Sequence, residues 1–343
     1  MKSSLNFAII GCGVIGPTHA RSISEIDGAR LVAVADTVEE KAKALAEMYE
    51  AEAYLDYTKM LERDDIDVVN IATPSGMHAV MGIAAARAGK HVIVEKPMDI
   101  SLGKADALIA ACREQGVKLC VISQHRFDQG IVDLKKAIKE EKLGPLAFGG
   151  AYTQWYRAQE YYDSGNWRGT WALDGGGALM NQSIHYVDLL QYIMGPVEEI
   201  HAYCARRAHV RIEVEDVSAA TLKFKSGAIG VIEGMTAAYP GFAARLDIFG
   251  GDGGVIIEND TVKEWRLRSG EEYATPVSEG PLIVGTSSAD IWYLGHRRQI
   301  QDMVDAIRED RLPLVTGEEG RKPLEIILAI YQSARTGQTV KLG

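Results

Sequence analysis

Residues 5–16, Leu-Asn-Phe-Ala-Ile-Ile-Gly-Cys-Gly-Val-Ile-Gly, decide the fold of this 343-residue chain. The first six form an apolar run typical of a buried strand, and a G-x-G-x-x-G motif follows before a helical pattern. In that context the glycines allow a tight turn, close approach of a pyrophosphate, and helix packing. The helix N-terminus adds free N–H groups and a positive dipole end. The pattern predicts a dinucleotide site at Gly11, Cys12, Gly13, Val14, Ile15 and Gly16.

An acidic residue follows the motif at the spacing expected for ribose recognition. Asp36 ends the second predicted strand, 20 residues after Gly16. A carboxylate there accepts the ribose hydroxyls of NAD and repels the 2′-phosphate of NADP. The alternative is that Asp36 only caps the helix beginning near Val38. We predict NAD, and Lys41 and Lys43 nearby keep NADP as the less favoured cofactor.

From residue 5 to about 123, short apolar runs alternate with helical patterns. Strands this apolar are buried on both faces, and strand–helix alternation predicts a doubly wound, parallel α/β domain. The predicted strands are Leu5–Ile10, Leu31–Asp36, Val68–Ala72, His91–Glu95 and Lys118–Ser123, and the predicted helices are Val38–Tyr49, His78–Ala88 and Leu102–Gln115.

After Phe127 the pattern changes to long strand-like runs, which predict an α+β domain with a large, mostly antiparallel sheet. We place the domains at 1–125 and 126–343, and a C-terminal helix could pack back on the first domain. The predicted strands are Leu146–Tyr156, Val197–Arg207, Val217–Phe224, Ala228–Thr236 and Leu246–Phe249, and the predicted helices are Val132–Glu140, Ala178–Met194, Ser288–Glu309 and Glu318–Arg335.

Composition narrows the possible partners and the compartment. The formal net charge is −10, which disfavours nucleic acid and anionic membrane surfaces as partners. The four cysteines form no Cys-x-x-Cys pair, and this pattern suits free thiols in a reducing compartment. We see no signal-peptide region and no apolar run long enough to span a membrane. We therefore expect a cytoplasmic protein with a small-molecule substrate.

Two short segments are expected at the carboxyl edge of the parallel sheet, where open α/β folds bind ligands. Thr73, Pro74 and Ser75 end one strand, with His78 opening the next helix, and we expect them along the other half of the cofactor. An ordinary proline turn is the alternative. Glu95, Lys96 and Pro97 follow the strand at His91, and a desolvated lysine near nicotinamide could transfer protons. The alternative for Lys96 is a surface lysine.

The helix predicted over Ala178–Met194 carries a second constellation. Asn181, His185, Asp188 and Tyr192 are spaced to share one helical face. The alternative is an amphipathic helix with its polar stripe in water. A metal site on His185 and Asp188 lacks a third ligand, so we predict no metal.

These motifs together resemble the Gfo/Idh/MocA oxidoreductases, the glucose–fructose oxidoreductase and inositol dehydrogenase group. The resemblance rests on the glycine motif, Glu95-Lys96-Pro97, the Gly-Gly-Gly-Ala-Leu run at 175–179, and His185 with Asp188; it extends to the closing segment 334–337. It implies a Rossmann domain followed by an α/β domain whose open sheet builds a homodimer or homotetramer. It also implies that Lys96 bonds the reacting hydroxyl, that His185 is the acid/base, and that the Lys96–Pro97 peptide is cis.

One residue departs from the family pattern. Inositol dehydrogenase-like members carry Asp where this chain has Asn181, which cannot take a proton but can hydrogen-bond a sugar hydroxyl. The resulting hypothesis is hydride transfer between NAD and a ring carbinol of a sugar or polyol, with His185 held by Asp188. The alternatives are a dehydrogenase of a nucleotide-linked sugar or sugar acid, and a non-catalytic sugar-sensing regulator.

Residues 152–171 combine aromatic side chains with arginines. Aromatic faces suit a sugar ring, and arginines suit a carboxylate or phosphate. The alternative is a protein core or a subunit interface. The candidate substrate residues are Lys96, Arg126, Tyr156, Trp167, Arg168, Asn181 and His185, with His125, Trp292, Tyr293 and His296 as further pocket candidates.

Overall fold

The computed structural model describes residues 4–274 and 293–343, so Trp292 lies outside the described residues. The chain divides into two compact units. Of the described residues, the first unit contains 4–124 and 293–321, and the second contains 125–274 and 322–343. Residues 293–321 lie within the predicted second domain, 126–343, for which we expected that a C-terminal helix could pack back; they belong to the first unit because their apolar face joins its core.

The secondary structure alternates in the first half and is strand-rich afterwards. The strands are β1 Leu5–Ile10, β2 Ala29–Ala35, β3 Glu52–Tyr54, β4 Val68–Ile71, β5 His91–Val94, β6 Leu119–Val121, β7 Leu146–Gln154, β8 Val197–Ala205, β9 Val217–Phe224, β10 Ile229–Met235, β11 Arg245–Gly250, β12 Gly253–Glu258, β13 Thr261–Leu267 and β14 Val340–Lys341. The α-helices are α1 Gly16–Ser24, α2 Glu39–Tyr49, α3 Tyr57–Leu61, α4 His78–Arg87, α5 Leu102–Glu114, α6 Gln129–Lys139, α7 Gln159–Asp163, α8 Ile184–Met194, α9 Tyr293–Arg308 and α10 Gly317–Thr336. Short 3₁₀ turns lie at Ser75–Met77 and Gln124–Phe127, and a π-helical turn lies at Leu179–Ser183.

The first unit is built on a six-stranded sheet in the order β3-β2-β1-β4-β5-β6. Every pair in it is parallel, which confirms the doubly wound α/β prediction. Because parallel strands begin and end together, the glycine turn after β1 and the Glu95 segment after β5 lie at the same edge. The sequence reading missed β3, which is three residues long and not buried.

Helix α9 completes the core of the first unit. Ile300, Met303 and Val304 are fully buried in the same cluster as Phe7 and Ile9 of strand β1. Their spacing of three and four residues is that of one helical face. The first unit is therefore closed by chain that lies far from it in sequence.

The second unit contains an eight-stranded sheet in the order β13-β12-β11-β7-β10-β9-β8-β14. Its pairs are antiparallel except β7 with β10, which confirms the mostly antiparallel prediction. Helix α8 packs on one face so closely that a Cβ on Gly149 would lie 2.8 Å from side-chain atoms of Leu190 and Met194. On β9, Ala220 and Leu222 are buried while Thr221 is exposed, so residues 125–274 and 322–343 cover one face of the sheet and leave the other open.

The element boundaries differ from the predicted ones mostly at their ends. Helix α6 begins at Gln129 rather than Val132, and strands β12 and β13 were not predicted. Of the helix predicted from Ser288, the part before Tyr293 lies outside the described residues. Within residues 4–274 and 293–343, no helix combines the length and apolar character that crossing a membrane requires.

Candidate active site

Two glycines of the first turn are required by close backbone packing. Gly11 has φ +103°, and a Cβ there would lie 2.4 Å from the carbonyl oxygen of Ala72. A Cβ on Gly16 would lie 2.6 Å from the carbonyl oxygen of Gly11. Any other residue would force the end of β1, the end of β4 and the start of α1 apart.

The middle glycine has a different role, because nothing lies within 4 Å of a Cβ built on Gly13. Its neighbour Val14 is 58% exposed, so the turn presents open backbone at the N-terminus of α1. Open space beside a glycine at a helix N-terminus is what a pyrophosphate needs for close approach. The residues present therefore fit a dinucleotide.

Asp36 is bound to the glycine turn itself. One carboxylate oxygen accepts from the N–H of Cys12 at 2.8 Å, and the other accepts from the N–H of Val38 at 2.8 Å. The alternative that Asp36 merely caps a helix is wrong, since α2 begins at Glu39 with Val38 as its capping residue. The carboxylate is instead held beside the phosphate turn, where the ribose of a dinucleotide would lie.

The thiol of Cys12 adds no charge to this turn. Burial raises its pKa to about 12, and the nearby carboxylate of Asp36 acts in the same direction. The thiol therefore stays neutral near pH 7 and does not repel a phosphate.

The side chain of His78, predicted as a cofactor contact, is buried against backbone carbonyls. It is 1% exposed, and its ring nitrogens lie 2.7 Å from the carbonyl oxygens of Thr73 and Pro97. The imidazole therefore links the backbone of Thr73, which follows strand β4, to the backbone of Pro97, which follows strand β5. Ser75 is also buried, while Thr73 and Pro74 are half-buried at the sheet edge.

Glu95 is the centre of a buried hydrogen-bond network within the first unit. Its Oε1 lies 2.9 Å from Nε2 of His19 and 3.1 Å from Nε2 of His296, and its Oε2 accepts from the N–H of Lys96 at 3.0 Å. The amide of Asn70 lies 2.9 Å from Nδ1 of His19. Burial would raise the pKa of Glu95, but the hydrogen bonds from both histidines outweigh it and hold it well below its usual range.

This network holds the backbone that carries the candidate lysine. Glu95 itself is 5% exposed. Its carboxylate therefore holds the backbone N–H of Lys96 inside the unit and is not open to a ligand. The Lys96–Pro97 peptide is cis, as the resemblance implied, and Lys96 is half-buried. His296, expected near a pocket, is 2% exposed and belongs to this network.

In the second unit, a buried carboxylate anchors the glycine run that precedes helix α8. Glu215 accepts from the N–H groups of Gly177 and Leu179, each at 2.9 Å, and from the hydroxyl of Tyr331 at 3.0 Å. A Cβ on Gly177 would lie 1.7 Å from the carbonyl oxygen of Glu215. Burial raises the pKa of Glu215 to about 7 despite these donors.

The π-helical turn Leu179–Ser183 changes how Asn181 relates to the rest of the helix, because it adds a residue to one turn. Asn181 and His185 are half-buried, and the Asn181 amide donates to Asp174 at 3.0 Å. Nearly every other residue of α8 is buried. The alternative of a polar stripe in water is therefore wrong.

Arg126 and Asp188 bind each other, which changes both expected roles. The Arg126 guanidinium donates to the two Asp188 oxygens at 2.8 and 2.6 Å, and it lies 4.4 Å from the ring centroid of Tyr192. Arg126 is 1% exposed and Asp188 is 3% exposed. The arginine expected to bind substrate therefore holds helix α8, and the aspartate expected to hold His185 holds Arg126.

Aromatic and cationic side chains cluster around the ring of Tyr161. The guanidinium of Arg168 lies 4.3 Å from this ring and 4.6 Å from the ring of Trp167, and that of Arg157 lies 5.4 Å from the Tyr161 ring. Arg168 and Gln182 both donate to the Tyr161 hydroxyl, at 2.6 and 2.9 Å.

Tyr156 lies elsewhere. Its ring packs edge-on against Tyr239 at a centroid distance of 5.2 Å. Of the sequence candidates, Trp167 and Arg168 join the Tyr161 cluster.

Sequence reasoning missed three groups of functional interest: His19, Glu215 and the pair of carboxylates around His125. The carboxylates are Asp128 and Asp260, whose side chains lie 2.8 and 3.1 Å from Nδ1 of His125. His19 comes three residues after Gly16, a short distance that could have drawn attention to it. Asp260 sits in a hairpin that the pattern did not predict, so no signal pointed to it.

Comparison with known proteins gives matches along nearly the whole chain. Residues 5–123 match the model described as oxidoreductase family, NAD-binding Rossmann fold, and residues 135–342 match the C-terminal alpha/beta domain of the same family. The chain is 28% identical to myo-inositol 2-dehydrogenase of Thermotoga maritima, over 98% of each chain. It is 27% identical to D-apiose dehydrogenase of Paraburkholderia graminis, over 98% of this chain and 89% of that one.

Solved structures of other proteins also match over nearly the whole chain. The WlbA dehydrogenase of Bordetella pertussis, in complex with NADH and UDP-GlcNAcA, is 34% identical, with 99% of each chain covered and a TM-score of 0.88. The aldose-aldose oxidoreductase of Caulobacter crescentus is 28% identical, with a TM-score of 0.84 over 99% of this chain and 100% of that one. With both domain models matched in order, the chain belongs to the Gfo/Idh/MocA family of NAD-binding oxidoreductases.

Proposed function

We propose that this NAD-dependent dehydrogenase acts on a ring carbinol of a sugar derivative that carries an anionic group, such as a sugar acid or a nucleotide-linked sugar acid. The observation that carries this proposal is the pair Arg157 and Arg168 on the ring of Tyr161. The 34% identity to a dehydrogenase solved with UDP-GlcNAcA supports the same substrate class.

The two arginines form an arrangement that an anion would stabilise. Burial lowers the pKa of Arg157, and the positive charge of Arg168 acts in the same direction. Within residues 4–274 and 293–343, Arg168 forms no ion pair, and its donors reach only the Tyr161 hydroxyl. Guanidinium groups bind carboxylates and phosphates in bidentate fashion, and the aromatic rings offer an apolar face to a sugar.

The reaction assigns a separate task to each candidate residue. His185 takes the proton of the substrate hydroxyl, and Lys96 binds the hydroxyl oxygen as a cation. Asn181, whose amide is oriented by Asp174, hydrogen-bonds a neighbouring sugar hydroxyl. Bound NAD supplies the hydride acceptor.

Substrate profiling with NAD tests the proposal. Sugar acids and nucleotide-linked sugar acids are compared with the matching neutral sugars and with inositols, by NADH absorbance. We expect the anionic substrates to give the higher kcat/KM. Arg168→Met should raise KM for the anionic substrate about tenfold or more and leave neutral substrates unchanged, while the exposed control Arg266→Met changes neither. Equal loss on both substrate types would contradict an anion-binding role.

The acid/base assignment is tested separately. His185→Ala should lower kcat by roughly 10²-fold while the affinity for NADH stays the same. His201→Ala, on strand β8, is the control. Tight NADH binding with no turnover on any sugar, polyol or sugar acid would favour the sugar-sensing regulator instead.

We propose that a second copy of the chain binds the open face of the eight-stranded sheet. Tyr203 on β8 is 72% exposed and Ile229 on β10 is 58% exposed, and both point away from helix α8. Exposed apolar side chains on a broad sheet face mark an interaction surface. Sedimentation velocity should give a dimer or tetramer, and Tyr203→Arg should reduce its size, whereas a wild-type monomer at micromolar concentration would contradict the proposal.

A further inference from the structure

The ring of His125 is held between two carboxylates of the second unit. Its Nδ1 lies 2.8 Å from Oδ2 of Asp128 and 3.1 Å from Oδ1 of Asp260. Both carboxylates can only accept, so Nδ1 carries a proton shared between them. No part of the proposed chemistry uses this group.

The second carboxylate is placed by a strained hairpin tip. Asn259 and Asp260, between β12 and β13, have φ values of 43° and 63°, a conformation in which non-glycine residues are uncommon. Asn259 fixes the tip through its side-chain oxygen, which accepts from the N–H of Ala244 at 3.0 Å. The hydroxyl of Tyr186 donates to Oδ1 of Asp260 at 3.4 Å. The carboxylate therefore stays in place beside His125.

These contacts make His125 a cation near neutral pH. Burial lowers the pKa of His125, but the charge of Asp260 and the hydrogen bond to Asp128 outweigh it and raise the pKa well above its usual value. Among the residues that the structure describes, two further titratable side chains contact the ring, Tyr186 and His185 of α8. Burial raises the pKa of Tyr186 well above 10, so its phenol is neutral.

The positive ring packs directly on the candidate acid/base. The ring centroids of His125 and His185 are 5.1 Å apart, at an interplanar angle of 84°. A cation at this distance opposes the formation of a second one, because the two like charges would be poorly screened in a half-buried site. The positive charge of His125 therefore offsets the two carboxylates, which by themselves would favour a protonated His185, and so favours the neutral form that accepts a proton.

We propose that His125, clamped by Asp128 and Asp260, is a positioning residue whose positive charge offsets these carboxylates at His185 and so favours the neutral form of the candidate acid/base. The proposal rests on the assignment of His185 as the acid/base. It makes the hairpin tip at Asp260 a support of the candidate acid/base, acting through His125.

The test is a histidine titration of the full chain by NMR, following the imidazole Cε1–H signals between pH 4.5 and 9, so that turnover is not needed. The signals of His125 and His185 are assigned by their loss in single variants. His125→Gln removes the cation and leaves both carboxylates, so the pKa of His185 should rise by about one unit. His125→Arg keeps a cation between the aspartates and should leave the His185 pKa near its wild-type value. His201→Gln is the matched control for loss of a histidine.

An unchanged His185 pKa in folded His125→Gln overturns the proposal, as does the same rise in His125→Gln and His125→Arg. Activity then separates this inference from the proposed function. If the His185 pKa rises and the acid limb of kcat/KM moves to higher pH with it, the result supports both the charge coupling of His125 to His185 and the acid/base role of His185. If the His185 pKa rises while the pH profile of an active enzyme stays in place, the charge coupling stands and the acid/base role of His185 fails.

Discussion

Both carboxylate oxygens of Asp188 are bound by the guanidinium of Arg126, Oδ2 by Nε at 2.8 Å and Oδ1 by Nη2 at 2.6 Å. The pair is buried, and it ties the 3₁₀ turn Gln124–Phe127 to helix α8. His185 lies one turn before Asp188 on the same helix, so the position of the candidate acid/base depends on this ion pair.

Breaking this pair should be costly to the fold. Arg126→Met leaves the Asp188 carboxylate buried without its cation, and we expect the free energy of unfolding to fall by about 3–5 kcal/mol. The double replacement Arg126→Met with Asp188→Leu should recover much of that loss. Urea unfolding followed by tryptophan fluorescence measures both, with Arg113→Met as a control because its pair with Glu318 is exposed. A double variant as unstable as the single one would contradict this account.

Two glycines of the glycine turn should affect different properties, Gly13 the affinity for NADH and Gly16 the stability of the fold. Gly13→Ala adds a methyl group in open space, so the melting temperature should stay within about 2 °C while NADH binds roughly tenfold more weakly. Gly16→Ala places its Cβ against the Gly11 carbonyl and should cost about 1–3 kcal/mol of stability. Thermal denaturation and fluorescence titration with NADH distinguish the two. Unchanged NADH affinity in Gly13→Ala would show that the cofactor does not approach this backbone.

The carboxylate of Asp36 should determine the choice of cofactor. Asp36→Ser removes the negative charge held beside Cys12, so NADH affinity should fall about tenfold and NADPH affinity should rise. Titration of both reduced cofactors by fluorescence gives the ratio. Asp65→Ser, at a surface pair with Arg63 in the same unit, is the control. A preference that does not move toward NADPH would remove Asp36 from ribose recognition.

The buried Glu215 should give stability a distinctive pH dependence. Its pKa in the folded state is about 7, above the usual value near 4.5, so the native chain binds this proton more tightly than the unfolded chain. The contribution is fully present below about pH 4.5 and is lost as pH rises through about 7. Wild type should therefore lose on the order of 2–3 kcal/mol relative to Glu215→Gln across that range. Urea unfolding at several pH values measures the difference, and parallel profiles for the two proteins would refute the assignment.

Features written in consecutive residues could be predicted from the sequence. The strand Leu5–Ile10, the glycine turn and the position of Lys96 after a buried strand are all local patterns, and the structure has each of them where expected. The parallel sheet followed because strands buried on both faces need covering helices. Strand β3 was missed because a short, exposed edge strand has no apolar run that would indicate it.

Interactions between distant residues could not be predicted in this way. Glu95 and His296 meet across 201 positions, and neither residue type nor spacing indicates that partnership. Arg126 was read as a substrate-binding charge and Asp188 as the group that holds His185, because a sequence does not show which opposite charge a folded chain brings near. The π-helical turn at Leu179–Ser183 was also invisible, because the regular 3.6-residue period was assumed throughout the helix.

The contribution of helix α9 to the first core bears on how the chain is made. Strand β1 is translated before its core partners Met303 and Val304, which follow Gln124 by about 180 residues. At about 5–20 residues per second, roughly 10–35 s pass between the synthesis of Gln124 and that of Met303, which completes this core. During that interval the apolar strands of the nascent chain are open to chaperones, and a gene cut at residue 124 would leave them open permanently.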